Sequence, residues 1–263
     1  MKSILMAPAT LGLAAAASLA MAAAAPAVAH ADDDWTGWYL GVNAGGATGS
    51  SSQTSNVNAT NNTYFAGTSI APVNAAGAQK IKPSGFSGGA QVGFNQQSGG
   101  WMWGVEADIQ ALSLKKDATV TGVYPCCGPA TYSQTAGAKT SWLFTARPRV
   151  GWVSNDWLVY GTAGVAVTDV KYTHRFTDTF TASPGAMADS SISKTKAGWT
   201  AGVGVEHAMA GGWSVKGEYL YADFGKEGSS GHITNPAASS ATTFDSNADL
   251  KVNLFRVGLN KKF

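Results

Sequence analysis

Charge is scarce in this chain. Only 13% of its 263 residues are Asp, Glu, Lys or Arg, about half the share usual in a soluble domain. The formal net charge is +2, and so small a balance excludes nucleic acid as an electrostatic partner. Cysteine is scarcer still: Cys126 and Cys127 are the whole inventory, and they are neighbours. Adjacent Cα atoms stand about 3.8 Å apart, below the usual ~4.4–6.8 Å of a disulfide. A bond between them makes a strained, easily reduced ring. It cannot staple distant segments, which excludes a fold that rests on disulfides. Long apolar runs are missing beyond the N-terminal region, where no stretch approaches the ~20 apolar residues of a spanning helix.

The N-terminal region has its own logic. Met1-Lys2 supplies a positive start, Ile4 to Ala25 is an Ala-rich apolar run, and Ala29-His30-Ala31 fits a small-x-small cleavage site. This predicts a secretory signal peptide over residues 1–31 and a mature domain over 32–263. A retained transmembrane helix is the competing reading. Pro8, Gly12, the weak hydrophobicity of Ala and the acidic Asp32-Asp33-Asp34 argue against it.

What is abundant is glycine, with 32 residues, and tryptophan, with nine. Eight runs read as strands: 38–47, 86–95, 101–112, 141–153, 157–170, 198–208, 213–224 and 250–263. Short connections at 96–100, 154–156 and 209–212 are rich in Gly, Ser, Asn and Asp, as tight hairpins require. Long ones at 48–85, 115–140, 171–197 and 225–249 are rich in small polar residues and are expected to be mobile loops. Strict alternation of short and long connections predicts an all-β fold. It is an eight-stranded antiparallel up-and-down transmembrane barrel with four long outer loops and three short periplasmic turns.

Alternation along each strand supplies the two faces. Trp101, Trp103, Val105, Ala107 and Ile109 oppose Met102, Gly104, Glu106, Asp108 and Gln110; Trp142, Phe144, Ala146, Pro148, Val150 and Trp152 oppose Leu143, Thr145, Arg147, Arg149 and Gly151. Trp38, Phe94, Trp101, Trp103, Trp152, Trp157 and Trp213 fall at strand ends beside the N-terminus or the short turns. Phe86, Trp142, Trp199 and Tyr221 fall beside the long connections. Two aromatic girdles bounding an apolar band predict a lipid-facing exterior and a polar lumen. A soluble β-protein has no reason to collect Trp at both rims. The last strand ends on Phe263, with Leu259, Val257 and Phe255 on the same face and Lys261 interrupting them.

The stretches "WTGWYLGVNAGG", "GFSGGAQVGFNQQ", "GVEADIQ", "WLFTARPRVGW", "WLVYGTAGVAV", "GWTAGVGVEHAM", "WSVKGEYLYADFG" and "FRVGLNKKF" resemble the small outer-membrane β-barrel proteins of alphaproteobacteria. That family groups with OmpA-like and opacity-protein-like barrels and is sometimes called a porin family. The resemblance implies an abundant protein of the Gram-negative outer membrane, embedded in outer-membrane lipid and handled by the barrel assembly machinery. Phe255, Val257, Leu259 and Phe263 match the C-terminal assembly signal of such barrels. Some relatives bind hemin or act in adhesion, so recognition of hemin or a host-surface component by the long loops is the alternative function.

The inward face carries the candidate chemistry. Glu106, Asp108, Glu206 and Glu218 are expected to meet Arg147, Arg149, Lys216 and Arg256 inside the barrel. One reading is a neutralising network that fills the lumen; the other is a narrow ion path lined by the same residues. No Ser, His and acid converge on one rim, so no enzyme is expected. Cys126, Cys127, His174 and His232 match no zinc or haem spacing, so no metal or cofactor is assigned. The Gly-rich stretches lack a P-loop Lys and a strand-to-helix transition; they are read as inward glycines that make room for bulky neighbours.

Overall fold

The computed structural model describes residues 34–180, 185–235 and 238–263; the expected leader, residues 1–31, lies outside them. The elements run β1 (Gly37–Val57), α1 (Gly67–Gly77), β2 (Gln79–Ile81), β3 (Ser84–Ser98), β4 (Trp101–Val123), β5 (Thr131–Ser154), β6 (Trp157–Asp178), β7 (Met187–Met209), β8 (Trp213–Asn235) and β9 (Ala238–Lys262). Each of β3 to β8 pairs antiparallel with the next, β3 pairs with β1, and β1 closes on β9. Closure leaves no free edge along the ring, as a lipid-exposed sheet requires.

Among the described residues the strands number nine, not the eight expected. Eight strands form the ring, and the ninth is β2, which pairs only with β1, at Ser51–Gln53. The cause lies in β1, which continues past Thr48 after β3 has ended at Ser84. Pro83 offers no N–H to continue that ladder. Its carbonyl instead accepts the Gly49 N–H at 2.7 Å, and β2 covers the next stretch of exposed edge.

The expected long mobile loops are also corrected. Most of 115–140, 171–197 and 225–249 is strand, and 48–85 holds the end of β1, all of α1 and β2. These stretches hide their period because many of their members, polar and apolar alike, are small Ser, Thr, Ala and Gly. Outward hydroxyls pair across strands, Thr119 with Thr135 and Thr121 with Ser133, each at 2.8 Å. Inward, Phe176 and Phe244 pack with Phe65, Tyr124, Tyr132 and Val73 of α1 into an aromatic cap.

Exposed Trp, Phe, Val, Leu and Ile side chains form the outer band, Phe86 being 83% exposed. Girdle rings touch: Trp38 meets Phe94 at 5.4 Å, Trp101 meets Trp152 at 5.1 Å, and Trp199 meets Tyr221 at 5.2 Å. In water such a surface is an aggregation liability; in a bilayer it is the stable one.

The lumen is stacked in layers and is not polar throughout, as the alternation had suggested. Met102, Val153 and Leu158 pack at the end with the short turns. A belt of charge follows, then an apolar layer with Leu143, Leu220, Val252 and Leu254. Next comes a polar layer in which Gln134, His174 and Ser55 meet, and the aromatic cap lies beyond it. An eight-stranded interior is only wide enough for side chains, so its non-charged levels bury apolar ones at close-packed density.

Candidate functional site

The belt is built by register. Glu106 on β4 stands opposite Arg147 on β5, and Glu218 on β8 stands opposite Arg256 on β9. Glu206 on β7 stands opposite Lys216 on β8. Strand alternation turns all of these inward with Asp108 and Arg149, and every one of the eight is nearly fully buried. Four acids and four bases cancel in formal charge.

Partners follow the lumen's geometry as much as the ladder. Arg147 Nη2 donates to Glu106 Oε1 at 2.6 Å and to Asp108 Oδ2 at 2.8 Å, while Nη1 donates to Glu218 Oε1 at 3.2 Å. Arg256 donates through Nε to Glu218 at 2.7 Å and through Nη1 to Asp108 at 2.9 Å. Lys216 leaves its register neighbour and reaches Glu106 across the lumen at 2.8 Å. Arg149, which faces Gly104 in register, spans to Glu206 at 2.8 Å. Glu106 thereby gathers four cations within ion-pair distance. Such a web satisfies carboxylates that could not stand alone in a dry interior.

Residues that sequence reasoning missed complete the shell. Tyr39 Oη donates to Glu106 Oε2 at 2.7 Å and Tyr160 Oη to Glu218 Oε1 at 2.9 Å. The Arg149 guanidinium lies 3.9 Å from the Tyr160 ring centre, a cation–π contact. Ser214 Oγ and Asn260 Nδ2 donate to Glu206 at 2.5 and 2.6 Å, and Thr145 Oγ1 donates to Asp108 at 2.6 Å. The available signal was parity: Tyr39 and Tyr160 alternate with the outward Trp38 and Val159. Both rings need a glycine opposite. Gly93 faces Tyr39 and Gly204 faces Tyr160, and a Cβ at either would lie 2.3 Å from the phenol it faces, closer than packing allows.

The other candidate residues do not converge. Cys126 and Cys127 form a disulfide at the tip between β4 and β5. His174 is buried in the polar layer, not in a loop, with Nε2–H donating to Gln134 Oε1 at 2.8 Å. His232 is exposed on β8. Phe255, Val257, Leu259 and Phe263 all point outward, and the Phe263 N–H donates to the Trp38 carbonyl at 3.0 Å. Lys261, the irregular member, lays its ammonium 5.3 Å from the Trp213 ring centre.

The sequence comparisons agree with this architecture. The family model for the outer membrane protein beta-barrel domain matches residues 12–263. The 31 kDa outer-membrane immunogenic protein of Brucella melitensis is 34% identical over 87% of this chain and 84% of its own length. The 22 kDa outer membrane protein of Rhizobium leguminosarum is 32% identical over 53% of each chain. Among solved structures, the outer membrane protein OprG of Pseudomonas aeruginosa aligns over 88% of this chain and 99% of its own, at 12% identity and a TM-score of 0.39.

Proposed function

The chain belongs to the outer membrane protein β-barrel family and lies in the outer membrane, and we propose that it is a structural, non-enzymatic barrel whose lumen is closed. The observation that carries this reading is the charge belt. Arg147, Arg149, Lys216 and Arg256 meet Glu106, Asp108, Glu206 and Glu218 with side chains almost without solvent exposure. An ion path needs solvated charges that exchange partners; these are spent on one another. Apolar layers on both sides of the belt support the same reading.

In this role the barrel offers an apolar band to outer-membrane lipid, and the assembly machinery reads Phe255, Val257, Leu259 and Phe263. Planar-bilayer recording of the folded protein tests the closed lumen. The expected trace shows no steady channel, and reproducible single-channel steps from the parent protein would overturn the reading.

Recognition at the outer end is the second reading, favoured by the reach of β4 to β9 past the upper girdle. Hemin titration of the folded protein checks that ligand directly; no Soret shift is expected.

A further inference from the structure

The outer end holds a second construction that the lumen belt does not use. Four rings touch in a closed cycle. Their centroids lie 5.1 Å apart from Tyr64 to Phe65, 6.4 Å from Phe65 to Tyr124, 6.1 Å from Tyr124 to Phe180 and 6.3 Å from Phe180 back to Tyr64. Three of the four corners are steep, at 90°, 67° and 86°, so the rings stand as the walls of a box. These rings line a cavity of about 80 Å³, whose remaining wall is Ala66, Ser69 and the Cys126–Cys127 disulfide. Sides this short put a cation seated in the cavity within the ~6 Å reach of a cation–π contact with the rings that line it.

A carboxylate backs two of the walls. Asp178 Oδ2 accepts from Tyr64 Oη and Tyr124 Oη, both at 2.8 Å, and Oδ1 accepts the Ala186 N–H at 2.7 Å. Asp178 is 7% exposed, and among the described residues it makes no ion pair. Arg175, on the same strand, is turned to Asp189 at 3.2 Å. Burial, together with the bond to Asp178, pushes both phenols up, so they remain donors. Each donated hydrogen bond leaves its ring richer in electrons. A buried carboxylate without a counter-charge is costly, and here it lies behind electron-rich rings around an empty volume.

We propose that this box binds a methylated ammonium ion. The rings supply cation–π attraction, Asp178 supplies the compensating charge through the phenols, and the disulfide supplies a rigid, polarisable wall. A cavity of this size admits a trimethylammonium head alone, since pockets that bury drug-sized ligands run to ~300–1,000 Å³. The assignment goes beyond the closed-lumen reading and stands whether or not the lumen conducts.

The test uses the full mature barrel in octyl glucoside, a detergent without an ammonium head. Choline and its neutral isostere 3,3-dimethyl-1-butanol are titrated by ligand-observed NMR. Choline is expected to saturate in the millimolar range, with the isostere about tenfold weaker. Tyr64→Leu and Phe180→Leu, each shown to be folded by its heat-dependent mobility in SDS, are expected to weaken choline about three- to fivefold. Asp178→Asn is expected to weaken choline while leaving the isostere unchanged. Competition by glycerophosphocholine equal to that of choline assigns the site to a lipid headgroup. Weaker competition assigns it to a free solute, which we expect because a phosphate is repelled by Asp178. No saturation by choline, equal binding of the isostere, or unchanged affinity in the folded Phe180→Leu protein would overturn the proposal.

Discussion

Arg147 on β5 reaches Glu106, its direct cross-strand neighbour on β4, at 2.6 Å, with both side chains sealed from solvent. The same guanidinium also holds Asp108 and Glu218, so one cation ties β4, β5 and β8 together inside the lumen. Buried pairs add little net stability when intact, but removing one partner strands the other.

Arg147→Ala is therefore expected to cost ~3–5 kcal/mol, read as a lowered urea midpoint of the detergent-folded protein. The cavity it leaves in the belt is expected to give small conductance steps in planar bilayers that the parent lacks. A conducting parent whose stability ignores Arg147 would sink the closed-lumen reading.

Lys216→Met provides the contrast. Among the described residues Lys216 pairs with Glu106 alone, and Glu106 retains Arg147, Arg149 and the Tyr39 hydroxyl. Because methionine replaces the aliphatic stem and the remaining cations still cover the carboxylate, the loss is expected to be ~1–2 kcal/mol, within the ordinary range of single substitutions. Equal losses for the two variants would mean that the belt behaves as one indivisible unit.

Phe263→Ser removes the last outward ring of β9. Its ring is 78% exposed and lies beside the girdle, so little folded-state packing is lost. The expected phenotype is kinetic: less protein in the outer membrane and more in the periplasm, by fractionation and immunoblot. Normal outer-membrane levels would show that the terminal aromatic is dispensable for assembly.

His174 gives a pH dependence separate from the belt. It lies nine residues beyond Val165, the register neighbour of girdle Trp199, and so stands outside the membrane band. Burial pushes its imidazole from 6.5 down to about 4, against an upward pull from Asp189. Between those values the unfolded chain binds the proton and the folded one does not, so stability is lost as pH falls through this window. The full contribution is on the order of 3 kcal/mol. Urea midpoints at pH 7 and pH 4.5 should fall more for the parent than for His174→Gln; parallel falls would assign the loss to carboxylates.

The sequence by itself determined the barrel's membrane-crossing portion. Period-two alternation is local, and the lipid and lumen faces differ enough chemically for Trp103 and Glu106 to declare their sides without any neighbour. Tight turns at 99–100 and 155–156 carry their own Gly, Asn and Asp signals. Only the tertiary structure decided what lies beyond the upper girdle. There Ser, Thr, Ala and Gly fill many positions on both faces, and large inward residues such as Tyr172 and Phe176 are too sparse to mark the period while the ladder continues. It also decided who pairs with whom: Lys216 faces Glu206 in register yet binds Glu106, because a closed ring brings β4 and β8 across the lumen from each other. The four-ring box has the same origin. Tyr64, Phe65, Tyr124 and Phe180 come from three separate connections, and only closure of the barrel gathers them, since contacts between distant segments leave no periodic trace in any one of them.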